Sequence, residues 1–376
     1  MRYLSAHYIF PISAPPLRNG VIYVNDDGCI VDVSDTGGKL EEREKLEFYN
    51  GILVPGFVNA HCHLELSHLR GALQPHGGLP AFISSIVKMR PASDGTIKAA
   101  AKTADEEMTK NGIVAAGDIS NSADTLSIKR NSRIRYHTFV ELFGLDGNRA
   151  KEIFTMTGRV KQEYDNAGLS VSVAPHAAYS VSQALWEILH QSYLASPPQV
   201  ISMHHQESSG ETGIYFEGKD ELTDTFRTTL LQAQRCLLVH NTFTSKDNLI
   251  KYIPHTRRFY FVLCPGSNLF IQNRLPDFLL YSLQKLCQTV CLGTDSLASN
   301  TRLSILDEMK IIRQHAPDIP LETLLRWATL NGAQALGFDR LLGSFEKGKT
   351  PGVNLISGID FDRMQLTDES MVKVLS

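Results

Sequence analysis

Apolar residues along this chain fall into short dense runs, separated by longer stretches in which they recur at helical spacing. The dense runs lie at 52–63, 112–120, 133–144, 169–180, 199–208, 236–243, 259–268 and 289–296. They read as strands. Between them, segments such as 148–164 and 180–192 place apolar residues at i, i+3, i+4 and i+7, which predicts helices with one core-facing stripe. Eight strands, each followed by a helix-like or loop segment, predict an α/β protein built as a (β/α)8 TIM-like barrel rather than a doubly wound sheet. No glycine fingerprint of a dinucleotide-binding turn follows any of the runs.

The two ends break this alternation. "GVIYVNDDGCIVDV" (20–33) reads as two β runs about an Asp-Asp-Gly turn, a hairpin signal. "GSFEKGKTPGVNLISG" and "MVKVLS" near the other end again read as short strands with turn residues between them. The expectation is a small β-sandwich domain formed by 1–52 plus 346–376, interrupted by a barrel spanning 53–345. Beyond Asn300, "TRLSILDEMKIIRQHA" and "LETLLRWATLNGAQALGF" carry amphipathic helical patterns that put Met309 and Trp327 in the core.

Composition narrows the function. A chain of 376 residues can bury a large core, and its net charge of -3 with scattered Lys and Arg argues against a nucleic-acid partner. The early apolar stretch is broken by His7, Pro11 and Pro15, and no apolar run reaches the length of a membrane span. A cytoplasmic protein without membrane contact is expected. The six cysteines form no Cys-x-x-Cys pair, so reduced core thiols are expected.

Candidate chemistry begins in "GFVNAHCHLEL" (56–66), where His61 and His63 flank Cys62. A strand alternates its side chains, so both imidazoles face one way and Cys62 the other. Histidines also close strands by plain hydrogen bonding, and His-x-His alone is a weak signal. The other runs end on Asp118, Glu141, His176, His204 with Glu207, His240 and Asp295. Recurrence at so many strand ends favours a metal centre. Three imidazoles and a carboxylate leave a position open for water, which suits catalytic zinc or ferrous iron. "LSVSVAPHAAYS" contains no lysine to carry a bridging carbamate, which favours a single ion.

The barrel pattern together with "NAHCH", "HHQE", "VHN" and "GTDS" resembles the amidohydrolase superfamily, and within it the mononuclear cytosine-deaminase-like aminohydrolase branch. "LCPGSN" is similar to that branch's Cys-Pro-x-Ser-Asn, and "ATLNGAQALGF" with "LGSFEKGKTPGVNLI" to its last helix and return to the β domain. Asn354 stands where many relatives have Asp. The resemblance implies His61, His63, His204 and Asp295 as ligands of one divalent ion, zinc before iron. It implies Glu207 as proton shuttle, His240 as the group orienting the nucleophile, and Asp295 as acceptor of the water proton.

The implied reaction is hydrolytic deamination of an amino-substituted heterocycle by a metal-bound hydroxide. His176 is expected to contact substrate, with Glu141 beside it, while Asp118 is as readily structural. The segment 65–90 resembles the substrate cap of aminodeoxyfutalosine deaminases; its cations Lys88 and Arg90, with Arg70, would favour an adenosine derivative bearing a carboxylate. An amide or lactam hydrolase of the imidazolonepropionase kind is the alternative, and a non-catalytic binding protein a weaker one. The partner expected is a small-molecule substrate, and fold analogy suggests a homodimer.

Overall fold

The computed structural model describes residues 1–41, 44–211, 221–252, 258–282 and 286–376. Among them, eight parallel strands follow one another: β1 (Phe57–Cys62), β2 (Ile113–Ser120), β3 (Arg135–Leu142), β4 (Ser170–Pro175), β5 (Val200–His205), β6 (Arg235–His240), β7 (Phe259–Leu263) and β8 (Val290–Leu292). β1 to β4 pair in sequence order as one sheet and β5 to β8 as a second. Backbone hydrogen bonds also run between the sheets. His204 N donates to His176 O at 2.8 Å, and both Thr294 N and Asp295 N donate to His61 O at 3.0 Å. The result is a TIM-barrel-like α/β arrangement, and burial of both strand faces explains why the runs read as nearly continuous apolar stretches.

Helices follow the strands as the spacing predicts, including Ala150–Asn166, Gln183–Ala195 and Ile305–His315. Met309 and Trp327 are fully buried. The last predicted helix is two helices, Leu321–Ala328 and Leu330–Leu336, separated at Thr329. The second packs against β1, β2, β6 and β8, close enough that a Cβ on Gly332 would lie 2.8 Å from Val58 Cγ1. It joins Val58, Ala115, Phe139 and Val262 in an apolar cluster beneath the site.

Both chain ends share one mixed sheet of seven strands among the described residues. Its strand Leu46–Pro55 runs parallel to Arg2–Ile9 on one side and antiparallel to Val353–Asp360 on the other. The apolar run at 52–63 is therefore two elements, one in this sheet and one in β1. Gly56 makes the crossing: its N donates to Pro351 O at 3.0 Å, and a Cβ there would lie 2.3 Å from Val114 Cγ1. Asn354 is buried and donates from Nδ2 to Gly112 O at 2.8 Å, tying the end sheet to the start of β2. No described helix is long and apolar enough to cross a membrane, and the six cysteines are free thiols.

Candidate active site

The carboxyl ends of the strands gather the polar residues that the apolar pattern leaves exposed at its limits. His61 and His63 leave β1 on one face with their Nε2 atoms 3.1 Å apart. Asp295 follows β8 and places Oδ1 3.3 Å from His63 Nε2 and 3.7 Å from His61 Nε2. The His204 ring, from the end of β5, lies 5.0 Å from that of His61, and the His240 ring, from the end of β6, 5.4 Å from that of His204. Zinc–nitrogen bonds of about 2.0–2.1 Å in a tetrahedron put neighbouring ligand atoms about 3.3 Å apart. The spacing of His61, His63 and Asp295 matches that edge. Two imidazole nitrogens at 3.1 Å also call for a shared cation or proton between them, so this donor set fits a divalent ion.

Neighbouring groups fix the orientation of these side chains. His204 Nδ1 donates to the His176 carbonyl at 3.0 Å, and His240 Nδ1 donates to Asn268 Oδ1 at 2.9 Å. Each bond fixes a tautomer that leaves Nε2 as an acceptor. Asp295 Oδ2 accepts from Ser267 Oγ at 2.6 Å and Ser299 Oγ at 2.8 Å. His240, Asn241 and Asp295 hold φ values of 76°, 57° and 57°, the left-handed region that costs non-glycine residues free energy and concentrates at functional sites. The buried His61 Nδ1 has no hydrogen-bond partner among the described residues.

Burial sets the protonation of the cluster. It lowers His61, pushes His63 down to about 3 and holds His204 well below the usual imidazole range, so these side chains are neutral and able to ligate at neutral pH. Burial acts to raise Asp295, but His61, His63 and His240 outweigh it and hold the carboxyl well below its ordinary value. Glu207 moves the opposite way: burial first, then the charges of Asp295 and Glu211, push it well above the ordinary carboxyl value. Its Oε1 lies 3.7 Å from His240 Nε2. One carboxyl that stays ionised and one that keeps a proton, in a single cavity, is an acid–base pair.

The cavity holds about 280 Å3 and is lined by His63, His204, Glu207, His240 and Asp295 at one end and by Leu79, Phe82, Ile83, Ile86 and Val87 of the helix Gly78–Met89 at the other. His176 and Glu141 line it as well. Of the cap cations that the sequence suggests, Arg90, Arg70 and Lys88, one lines the cavity. Arg90 reaches the cavity, but its Nη2 donates to Glu65 Oε2 at 2.8 Å. Arg70 pairs with Glu107 and is not among the lining residues, and Lys88 is exposed and also outside the lining. Glu65, two residues past His63 and 25 before Arg90, holds the Arg90 guanidinium. Asp118 is fully buried, pairs with Lys129 Nζ at 2.6 Å and accepts the Leu64 amide at 2.8 Å, so it braces the exit from His61 and His63.

Sequence reasoning gave no role to Glu65, Lys129, Ser267, Asn268 or Ser299. Ser267 and Asn268 were visible inside "LCPGSN" and Glu65 inside "HCHLEL". Lys129 gives no local signal, because its partner lies in another element.

Histidines and carboxylates collected at the carboxyl ends of parallel strands define a metal-dependent hydrolase of the TIM-barrel-like class. A profile of the Amidohydrolase family matches residues 52–374, and the chain belongs to that family. It is a hydrolase of carbon–nitrogen bonds other than peptide bonds. It is similar to the 5-methylthioadenosine/S-adenosylhomocysteine deaminase of Saccharophagus degradans, 27% identical over 388 aligned positions covering 96% of this chain and 84% of that protein. In structure it is similar to the Helicobacter pylori aminofutalosine deaminase in complex with methylthio-coformycin, with TM-score 0.74, 22% identity, and coverage of 95% of this chain and 92% of the other. An adenosine deaminase from Xanthomonas campestris with bound zinc aligns with TM-score 0.72 and 23% identity, covering 97% and 86%.

Proposed function

We propose that this protein is a mononuclear aminohydrolase that deaminates the amino-substituted ring of an adenosine-type substrate. The framework proposed is a closed (β/α)8 barrel of 53–345 with a small β-sandwich domain of 1–52 plus 346–376. The observation that carries the reading is the convergence of His61, His63, His204, His240, Asp295 and Glu207 on one cavity at the strand ends. His61, His63, His204 and Asp295 would hold one divalent ion, zinc before iron. When bound, such an ion supplies Lewis acidity that brings the pKa of a water towards neutrality.

The remaining steps belong to side chains. Asp295, ionised and held by Ser267 and Ser299, accepts the proton of the attacking water. Glu207, kept protonated by burial, donates to the ring nitrogen; Asp295 then passes the water proton it took to the departing amine, and Glu207 recovers a proton from the hydroxyl that becomes the carbonyl. His240, fixed through Nδ1 by Asn268, orients the attacking oxygen through Nε2. His176, whose Nδ1 lies 2.7 Å from Ser180 Oγ, and Glu141 contact the substrate beside the reacting ring. The apolar face of the helix Gly78–Met89 shields the ring from water.

Deaminases among the similar proteins favour this reading over amide or lactam hydrolysis. The finer expectation of a substrate carboxylate read by Lys88, Arg90 and Arg70 draws no support from the cavity, where Glu65 already holds the Arg90 guanidinium. The test is ammonia release by the zinc-loaded protein from adenosine, 5′-substituted adenosines with and without a carboxylate, guanine and cytosine, with His63→Ala as control. Release from adenosines that vanishes in the control is the expected result. Silence across the panel with one equivalent of metal bound would move the assignment to amide or lactam hydrolysis.

A further inference from the structure

We infer that Glu141 receives a hydrogen-bond donor of the substrate, a sugar hydroxyl or an ammonium group, so that the cavity selects donor-bearing substrates and disfavours those with a carboxylate. The inference rests on the deaminase reading above and specifies which substrates that site accepts.

Glu141 stands near the end of β3 with its side chain 8% exposed, and it lines the cavity. One of its oxygens is committed: Oε2 accepts from Asn121 Nδ2 at 3.2 Å. The other, Oε1, is buried and has no hydrogen-bond partner among the described residues. His204 Nδ1, at 3.7 Å, is beyond bonding distance and is engaged with the His176 carbonyl at 3.0 Å. A buried carboxylate oxygen left without a donor costs free energy unless something that enters the cavity supplies one.

The charges around the cavity point the same way. Its described lining carries the carboxyl groups of Glu65, Glu141 and Asp295 and that of Glu207, which keeps its proton, against one Lys or Arg side chain, Arg90. Arg90 is bonded to Glu65, whose oxygens also accept from Asn121 N at 3.0 Å, Ser122 N at 2.9 Å and Ser122 Oγ at 2.9 Å. Asp295 lies against His61 and His63, and Glu207 faces His240. Glu141 is left as the carboxylate with no cation of its own. Asn121 holds it ready, because the backbone of that residue is pinned on Glu65 while its side chain fixes Oε2. A donor meets a pre-oriented acceptor there, and a second carboxylate meets repulsion.

The test compares kcat/KM of the zinc-loaded wild type, Glu141→Gln and Glu141→Ala on adenosine, 2′-deoxyadenosine, 3′-deoxyadenosine, 5′-amino-5′-deoxyadenosine and adenosine-5′-carboxylic acid. Zinc content and thermal midpoint serve as controls for folding. Loss of a hydrogen bond to a charged acceptor predicts a fall of about 10- to 100-fold in Glu141→Ala on the donor-bearing substrate. A hydroxyl donor shows itself as wild-type preference for adenosine over one deoxy analogue, erased in Glu141→Ala and partly kept in Glu141→Gln. An ammonium donor shows itself as preference for the 5′-amino compound, erased in both variants. Either pattern supports the inference. Deamination by the wild type with less than a twofold change in both variants on every substrate overturns it while leaving the deaminase reading intact, and so does a wild-type preference for the 5′-carboxylic acid. No deamination of any nucleoside by the wild type overturns both.

Discussion

Substituting Lys129 by methionine removes one charge from an ion pair that water does not reach. Lys129 and Asp118 have no exposed side-chain surface and stand 2.6 Å apart. Lys129 Nζ also donates to Ser120 Oγ at 2.9 Å and Thr138 Oγ1 at 3.0 Å. Burial pulls the ammonium pKa down, but Asp118 and Tyr164 outweigh it and the value ends above the ordinary one, so the lysine is charged at neutrality. Methionine fills the space of the lysine stem and leaves Asp118 buried without its counter-ion, which costs about 3–5 kcal/mol. With an unfolding entropy of about 2.1 cal/mol/K per residue, a chain of 376 residues should lose about 4–6 °C in thermal midpoint. Adding Asp118→Asn removes the stranded charge while keeping an acceptor for the Leu64 amide. The double variant should therefore recover about 2 kcal/mol or more relative to the sum of the single variants. Urea unfolding of the four metal-free proteins measures the cycle. A cost below about 1 kcal/mol for Lys129→Met, or strict additivity, would refute the claim that this pair braces the strand end beneath His61 and His63.

Other outcomes follow from the same geometry. Glu207→Gln should lower kcat by about 10²- to 10⁴-fold while metal analysis still finds the ion bound, since Glu207 moves protons and is not a ligand. Ser267→Ala, which strips the 2.6 Å bond from Asp295 Oδ2, should weaken zinc affinity by about 10- to 100-fold in a chelator competition. His137 is buried between Ser170 Oγ and Ser172 Oγ, and burial, then Lys129, pushes it down to about 3 from 6.5. The unfolded chain therefore takes up the proton first: this stabilisation is complete above about pH 6.5 and is lost as pH falls towards 3. His137→Gln should flatten the acid limb of urea-measured stability by about 1.4 kcal/mol per pH unit within that window; an unchanged slope would contradict it.

The alternation of the chain made the eight central strands legible, because most are buried on both faces and so appear as compact apolar runs. Periodicity could not divide 52–63 into two strands, since the division depends on Gly56 passing Val114 and Pro351, contacts with distant parts of the chain. The histidines and Asp295 could be read because each ends a run, and strand ends are where this architecture gathers polar groups. Arg90 lines the cavity, but its pairing could not be read from the sequence: a charge in a cap segment looks available until its partner is known, and Glu65 is 25 positions away. Lys129 was invisible for the same reason, its carboxylate lying in β2.

Strand Leu46–Pro55 pairs on one side with Val353–Asp360, almost the last segment of the chain. During synthesis at about 5–20 residues per second, some three hundred residues separate the two, so the inner edge of that strand waits roughly 15–60 s for its neighbour. The strand leads through Gly56 directly into β1 and its two histidines. A ribosome stalled before Val353 would therefore hold a chain that already carries His61, His63, His204, His240 and Asp295 but leaves an open β edge at Leu46–Pro55 beside the first two of them, a target for chaperones and for the same edge on another incomplete copy.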